Sequence, residues 1–127
     1  MSDLEGDYSP SMAVIGSRSF NDYERMKRVL DKYKPRLIVS GGAKGADTLA
    51  ERYAKEKNIP TKIFLPDYDL YGKRAPLARN IEIINEVEMV VAFWDGHSRG
   101  TKHALDYAKL MDKFIHLHDT SILEEIK

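Results

Sequence analysis

The chain has 127 residues, with 20 Lys and Arg against 20 Asp and Glu, and 43% of it is hydrophobic, a size and balance that fit one globular domain and leave no room for two. A domain of this length buries roughly two-thirds of the surface its unfolded chain exposes, so it folds without disulfides or a structural metal. The lack of cysteine excludes thiolate-bound zinc, iron–sulfur clusters and a cysteine nucleophile, and a formal net charge of zero argues against a broad polyanion-binding surface while leaving room for a local basic pocket.

Residues 1–11 read as a polar tail without the basic and apolar stretches of a secretory signal. The longest apolar run, Met89 to Trp94, is far short of the ~18 residues of a membrane span. The expectation is a cytoplasmic protein whose one domain occupies residues 12–127, with no repeat, low-complexity segment or internal linker.

After the tail, short β-branched or apolar runs alternate with longer stretches of helical period, the pattern of a parallel sheet with helices packed on it. Met12-Ala-Val-Ile15 is the first strand, stopped by Gly16. Asn21, with Glu24 three residues on, makes a capping box for a helix whose face runs Tyr23, Met26, Val29, Leu30 and Tyr33, and Pro35 ends it. Leu37-Ile-Val39 is the second strand. Beyond the glycine-rich stretch 40–47, a second helix carries Ala46, Leu49, Ala50, Tyr53 and Ala54 as one buried stripe.

Thr61-Lys-Ile-Phe-Leu65 is a third strand closed by Pro66, followed by a polar loop from Asp67 to Ala75 that is long for this kind of fold. Pro76 suits the first position of a third helix, with the face Leu77, Ile81, Ile84 and Val87 and Ile83 at its flank. Met89-Val-Val-Ala-Phe-Trp94 is apolar without alternation, as a central strand covered on both faces should be. A fourth helix after Gly100 carries Ala104, Leu105, Ala108 and Met111, and Lys113-Phe-Ile-His-Leu117 is the fifth strand. The fold class is α/β, a single doubly wound domain with a mainly parallel five-stranded sheet and about four helices.

In such sheets ligands bind at the carboxyl ends of the strands, where helix N-termini and unpaired N–H groups converge. Three strand ends here are rich in Gly, Ser, Thr and cations: 16–20, 40–47 and 95–101. Glycines let a backbone approach an anion closely, and Arg18, Lys44 or Arg99 can neutralise its charge, so phosphate is the simplest ligand. The plain alternative for Gly41, Gly42 and Gly45 is a tight strand-to-helix turn and nothing more. Their spacing is neither that of a P-loop nor that of the dinucleotide fingerprint, and it is the recurrence at three edges that points to a site.

Asp47 is either a first-turn residue favoured by the helix dipole or an acceptor for a ribose hydroxyl. Arg79 and Asn80 are either solvated surface or groups leaning over the ligand. Of Phe93 and Trp94, one belongs to the core, the better choice being Phe93, and the other is placed to stack on a base at the rim. His116 and His118 share a strand face at a spacing a metal could use, but no Asp, Glu or Cys partner accompanies them, and no metal is expected. Asp67, Asp69 and Asp95 are candidate acids, and no local spacing fixes a pair of carboxylates.

As an ordered set, Val14-Ile-Gly-Ser-Arg-Ser-Phe20, Ser40-Gly-Gly-Ala-Lys-Gly-Ala-Asp47 with Leu49-Ala-Glu51, and Ala92-Phe-Trp-Asp-Gly-His-Ser-Arg-Gly-Thr101 resemble the YspA-like, cpYpsA-related branch of the SLOG superfamily. The likeness spans about residues 12 to 117, and the superfamily includes the Lonely-guy phosphoribohydrolases and DNA-processing protein A. The resemblance implies a Rossmann-like fold, nucleotides or nucleotide-derived ligands, dimers among relatives, and a pocket lined by Gly16, Ser17, Arg18, Gly41, Gly42, Gly45, Asp47, Gly96, Gly100 and Thr101.

Lonely-guy enzymes pair an Arg early in the third-helix segment with a Glu of a Pro-Gly-Gly-x-Gly-Thr-x-x-Glu motif to cleave a nucleotide glycosidic bond. Here Arg79 matches the Arg, Trp94-Asp-Gly replaces Pro-Gly-Gly, and Ala104 stands where the Glu would be. Alanine can neither stabilise an oxocarbenium ion nor act as an acid or base.

The leading expectation is a domain that binds a nucleotide or nucleotide-derived ligand, a sensor rather than a catalyst, with no required cofactor. Its ligand-binding set is Gly16, Ser17, Arg18, Gly41, Gly42, Lys44, Gly45, Asp47, Arg79, Asn80, Asp95, Gly96, Ser98, Arg99, Gly100 and Thr101. The alternatives are a nucleotide N-glycosidase or ribosyl-group transferase using Arg79 and Asp95, and single-stranded DNA binding, against which the neutral charge weighs. A homodimer or higher homo-oligomer is a candidate assembly.

Overall fold

The computed structural model describes residues 9–120. Most of the polar tail, residues 1–8, and the end of the chain, residues 121–127, lie outside the described residues. The first strand, β1 (Ser11–Gly16), already begins within the span read as tail. It is followed by α1 (Tyr23–Tyr33), β2 (Leu37–Ser40), α2 (Ala46–Lys57), β3 (Thr61–Ile63), a one-turn α3 (Tyr68–Tyr71), a 3-10 turn (Gly72–Arg74), α4 (Ala75–Glu86), β4 (Met89–Trp94), α5 (Arg99–Leu110) and β5 (Phe114–Asp119).

The five strands form one parallel sheet in the order β3-β2-β1-β4-β5. The alternation of side chains along each strand divides the core in two. Met12, Val14, Ile38, Met89, Val91 and Phe93 face α1 and α2. Ala13, Ile15, Val39, Val90 and Ala92 face α4 and α5. β4 and the Met12–Ile15 stretch of β1 are therefore apolar without alternation, as strands covered on both faces must be. The chain leaves β1 toward β2 on one side, and its later strands build outward from β4 on the other, so strand order reverses between β1 and β4.

Local chemistry shifts several boundaries. α1 is capped by Asp22, whose carboxylate accepts the Arg25 N–H at 3.1 Å, and not by the Asn21 and Glu24 box. With the cap one residue later, the third helical position is Arg25, and Glu24 serves as first-turn negative charge. Lys34 ends the helix in a left-handed conformation before Pro35. β3 stops at Ile63, although Phe64 N still donates to Ser40 O at 2.9 Å. The stretch from Asp67 to Ala75 is not a loop: Asp67 caps α3 by accepting Leu70 N at 3.1 Å, and the 3-10 turn carries the chain into α4.

α4 begins at Ala75, which puts Pro76 in its first turn at a position needing no N–H. Its buried residues are Ala75, Ile83 and Ile84, joined by Val87 beyond the helix end. Ile81 is half-buried and Leu77 exposed, because the first turn of α4 stands at the mouth of a cleft and not over the sheet. α5 starts at Arg99 with Ser98 as its cap, Met111 lies past its end and is exposed, and β5 runs from 114 to 119. No helix among the described residues is long and apolar enough to cross a membrane.

Candidate functional site

A cleft of about 480 Å³ opens at the carboxyl edge of the sheet, over the reversal between β1 and β4, within the volume range of small-ligand sites. Its first wall is the turn after β1. Ser17 N donates to Phe93 O at 3.1 Å, and Ser17 O accepts from Phe20 N at 3.2 Å and Ala46 N at 3.3 Å, so the turn lies on the start of α2. At Gly16 a Cβ would fall 2.5 Å from Phe93 O and 2.8 Å from Ala46 Cβ, which no side chain permits. Arg18 projects from this turn, exposed, with no hydrogen bond or ion pair among the described residues.

The second wall is the loop from Gly41 to Asp47. Gly45 has φ 74°, and a Cβ there would run into the carbonyl oxygens of Ser17 and Arg18. Asp47 folds back so that its Oδ2 accepts Ala43 N at 3.0 Å, and Thr48 Oγ1 donates to Ala43 O at 3.0 Å. Burial pushes the Asp47 carboxyl above the usual range, a shift opposed by the backbone donors and by the charge of Arg79.

Arg79, on the second turn of α4, spends much of its guanidinium inside the protein. Nη1 donates to Gly41 O at 2.6 Å and to Phe64 O at 3.4 Å, and Nε donates to Asn80 Oδ1 at 3.1 Å. Burial depresses its basicity, and the Asp47 carboxylate works against that. Asn80 Nδ2 donates across the cleft to Gly100 O at 3.3 Å, tying the second turn of α4 to the first turn of α5.

The third wall is the turn after β4. Asp95 Oδ1 accepts His97 N at 2.8 Å and Ser98 N at 3.1 Å. These bonds, the His97 one foremost, hold its carboxyl below the usual range, with a further contribution from the Ser17 hydroxyl. Ser98 Oγ donates to Thr101 Oγ1 at 3.0 Å and accepts Thr101 N at 3.4 Å. The Trp94 indole donates to Ser98 O at 3.0 Å and packs against the sheet face under α5. It shapes the turn and does not line the cleft, while Phe93 is fully buried in the other core layer.

Of the residues singled out in the sequence, Gly16, Ser17, Arg18, Gly41, Asp47, Arg79, Asn80, Asp95, Ser98, Gly100 and Thr101 line this one cleft. Gly42, Lys44, Gly45, Gly96 and Arg99 do not. Gly42, Gly45 and Gly96 have positive φ and shape the turns, and the side chains of Lys44 and Arg99 lie exposed. Ile15, Ser19, Ala43, Pro76, Leu77, Ile83 and Ala104 complete the lining. Among these, Ile15, Ile83 and Ala104 were legible as core and make an apolar floor. Among the described residues no group of three His, Cys, Asp or Glu is placed to hold a metal ion. His116 Nδ1 instead pairs with the Tyr33 hydroxyl at 2.6 Å.

The arrangement suits a ligand with an anionic end, hydroxyl donors and an apolar part. The N-terminal turns of α2 and α5 reach the cleft, where such turns attract anions through the helix dipole, and α4 adds the side chains of Arg79 and Asn80. Arg18 and Arg79 are its cations, and Asp47 and Asp95 its acceptors.

Residues 10–71 match the model of the family described as "YspA, cpYpsA-related SLOG family". The Gene 61 protein of Mycobacterium phage D29 is 34% identical over 79 residues, a match covering 58% of this chain and 63% of that one. The chain thus spans less than two thirds of that relative's length. Among solved structures, DNA processing protein A from Streptococcus pneumoniae superposes with a TM-score of 0.75 at 22% identity, covering 91% of this chain and 52% of its own. DNA processing protein A from Helicobacter pylori, whose structure was reported for its single-stranded DNA binding mode, gives 0.67 at 23% identity over 91% and 71%. The structure of TM1055 gives 0.64 at 17% identity over 83% and 71%. At these identities the solved structures share the fold.

Proposed function

The chain belongs to the YspA, cpYpsA-related SLOG family, matched over residues 10–71, and on that premise we propose that it binds a nucleotide or nucleotide-derived ligand in the cleft between β1 and β4, as a sensor. The observation that carries the reading is the composition of one cleft: two helix N-terminal turns and two guanidinium groups line it together with the apolar Ile15, Ile83 and Ala104. Phosphate suits the first part, a sugar's hydroxyls suit Asp47 and Asp95, and a flat base suits the floor. Arg18 is the freer of the two cations, since Arg79 already serves two backbone carbonyls.

A thermal-shift screen against nucleoside mono-, di- and triphosphates, cyclic nucleotides, NAD and ADP-ribose tests it. A ligand at ~100 times its Kd adds ~2.7 kcal/mol of stability to the folded state. The expected result is stabilisation by one class of nucleotide, lost in Arg18→Ala. A flat response from the folded protein across the panel overturns the reading.

A second reading, turnover of the nucleotide at its glycosidic bond, is favoured by one observation. Asp47 and Asp95 share the cleft in environments that push their acidities in opposite directions, as in an acid and base pair. Chromatography of nucleotides incubated with the protein tests it. Release of free base that depends on Asp95 supports turnover, and no release leaves a binding domain.

A further inference from the structure

The cleft has cations, acceptors and an apolar floor, but no aromatic side chain lines it. Exposed rings lie on the segment between β3 and α4, which leads directly into the helix whose Pro76, Leu77, Arg79 and Asn80 line the cleft. Residues 67–74 are all exposed, yet they include Tyr68, Leu70 and Tyr71, left open by 60%, 67% and 44%. With Ile63, Leu65 and Leu77 they make up six of the ten large apolar side chains exposed among the described residues. Leu77 belongs both to this patch and to the cleft wall. Tyr68 stands close enough to Arg79 to act on its charge.

A four-residue helix has no stability of its own in water. α3 is held by Asp67, which accepts Leu70 N at 3.1 Å and Tyr71 N at 3.0 Å, and it leans on α4. Gly72, at φ 57° with open space around it, joins α3 to Lys73 and Arg74, and Ala75 beyond them begins α4, whose first turns are a wall of the cleft. Two tyrosine rings and two cations thus stand on a separately capped turn at the rim of a cleft that lacks a stacking surface. Rings beside cations are what a base and its phosphate recognise.

We propose that the turn formed by residues 67–74 is the specificity-determining cap of the cleft: it closes over a bound nucleotide, Tyr68 and Tyr71 cover the base, and Lys73 and Arg74 add a second cationic contact. The inference rests on the nucleotide reading and adds to it where the base is read. Arg18 would serve the phosphate of any sugar phosphate, and the cap would serve only ligands that carry a ring.

The test compares AMP, GMP, CMP and UMP with ribose 5-phosphate, which lacks the base, on the full chain. The expected result is that Tyr68→Ala with Tyr71→Ala weakens the best-bound monophosphate about tenfold, in the range of lost base stacking, and leaves ribose 5-phosphate unchanged. The corresponding Phe variants should bind as wild type, and Arg18→Ala should weaken both probes. The monophosphate, and not ribose 5-phosphate, should slow tryptic cleavage after Lys73 and Arg74. Equal losses for both probes, or no loss for either, overturn the cap while the nucleotide reading stands. Failure of the wild type to bind any of the five probes overturns the cap, and the nucleotide reading itself falls only if the wider nucleotide panel is also flat. Retention of a twelve-residue oligothymidylate through Tyr68 and Tyr71, without monophosphate binding, also overturns the cap and makes the turn a single-strand surface.

Discussion

Arg79 Nη1 donates to the carbonyl oxygen of Gly41 at 2.6 Å, and the same nitrogen reaches Phe64 O at 3.4 Å. One guanidinium from α4 thereby clamps the chain ends that leave β2 and β3, beside a glycine with no room for a Cβ, because the Arg79 side chain fills it. The residue that the sequence offered as a ligand contact is at least as much a structural tie.

Arg79→Ala should therefore destabilise the fold as well as weaken ligand binding. It removes charge-assisted hydrogen bonds, each worth about 1.5–3 kcal/mol, and leaves a buried Gly41 carbonyl without its partner. The expected loss is about 3 kcal/mol by urea denaturation. A loss under about 0.5 kcal/mol would show that the clamp is not needed.

Gly45→Ala separates backbone geometry from ligand contact, because Gly45 does not line the cleft. Its φ of 74° strains any L side chain, and a Cβ would press on the carbonyls of Ser17 and Arg18. Strain and overpacking each cost about 1–3 kcal/mol, so Tm should fall by roughly 10 °C or more. A wild-type Tm would mean that the turn after β1 yields easily.

Much of this was legible in the sequence. The strands and long helices follow from apolar periodicity, and the meeting of three chain segments around one cleft follows from glycine-rich turns at three strand ends. What was not legible has local causes. A single turn such as α3 is too short to show a period, so Tyr68–Tyr71 read as loop. The direction of a side chain beyond a strand depends on the φ values of the glycines beside it, so nothing in the spacing separated Arg18, which reaches the cleft, from Lys44 and Arg99, which do not. Trp94 was offered a base to stack on, but its N–H found Ser98 O four residues on, a partner of the kind that a partly buried indole donor commonly takes.

Asp47→Asn should change the pH dependence of stability with a definite sign. Burial raises the folded-state pKa of Asp47 above its ordinary 3.8, so the folded form holds its proton to higher pH than the unfolded form does. Wild-type stability from this group is therefore greatest at acid pH and declines as pH rises from about 3.8 through the raised folded value. Asn cannot ionise, so the variant should gain on wild type across that interval. Denaturant melts in pH steps check this, and a gap that shrinks with rising pH would contradict it.

The pairing of His116 with Tyr33 places a second titration at the opposite edge of the sheet. The imidazole lies on β5, its Nδ1 2.6 Å from the Tyr33 hydroxyl, with its ring edge-on to Tyr33 and parallel to His118. Burial, then the charge of Lys32, lowers its proton affinity below the ordinary 6.5. Here the unfolded chain takes up the proton first, so stability is lost as pH falls from about 6.5 and the loss is complete below the folded value. The carboxylates held below their usual range, Asp31 through Tyr53 and Asp95 through His97, lose their contribution only below 3.8. Asp47 acts with the opposite sign, since its contribution falls as pH rises, so a loss of stability on acidification just under pH 6.5 belongs to the histidine. His116→Gln should flatten the stability profile there and leave the fall below pH 4 in place. An unchanged slope between pH 5 and 6.5 would assign the titration to another group.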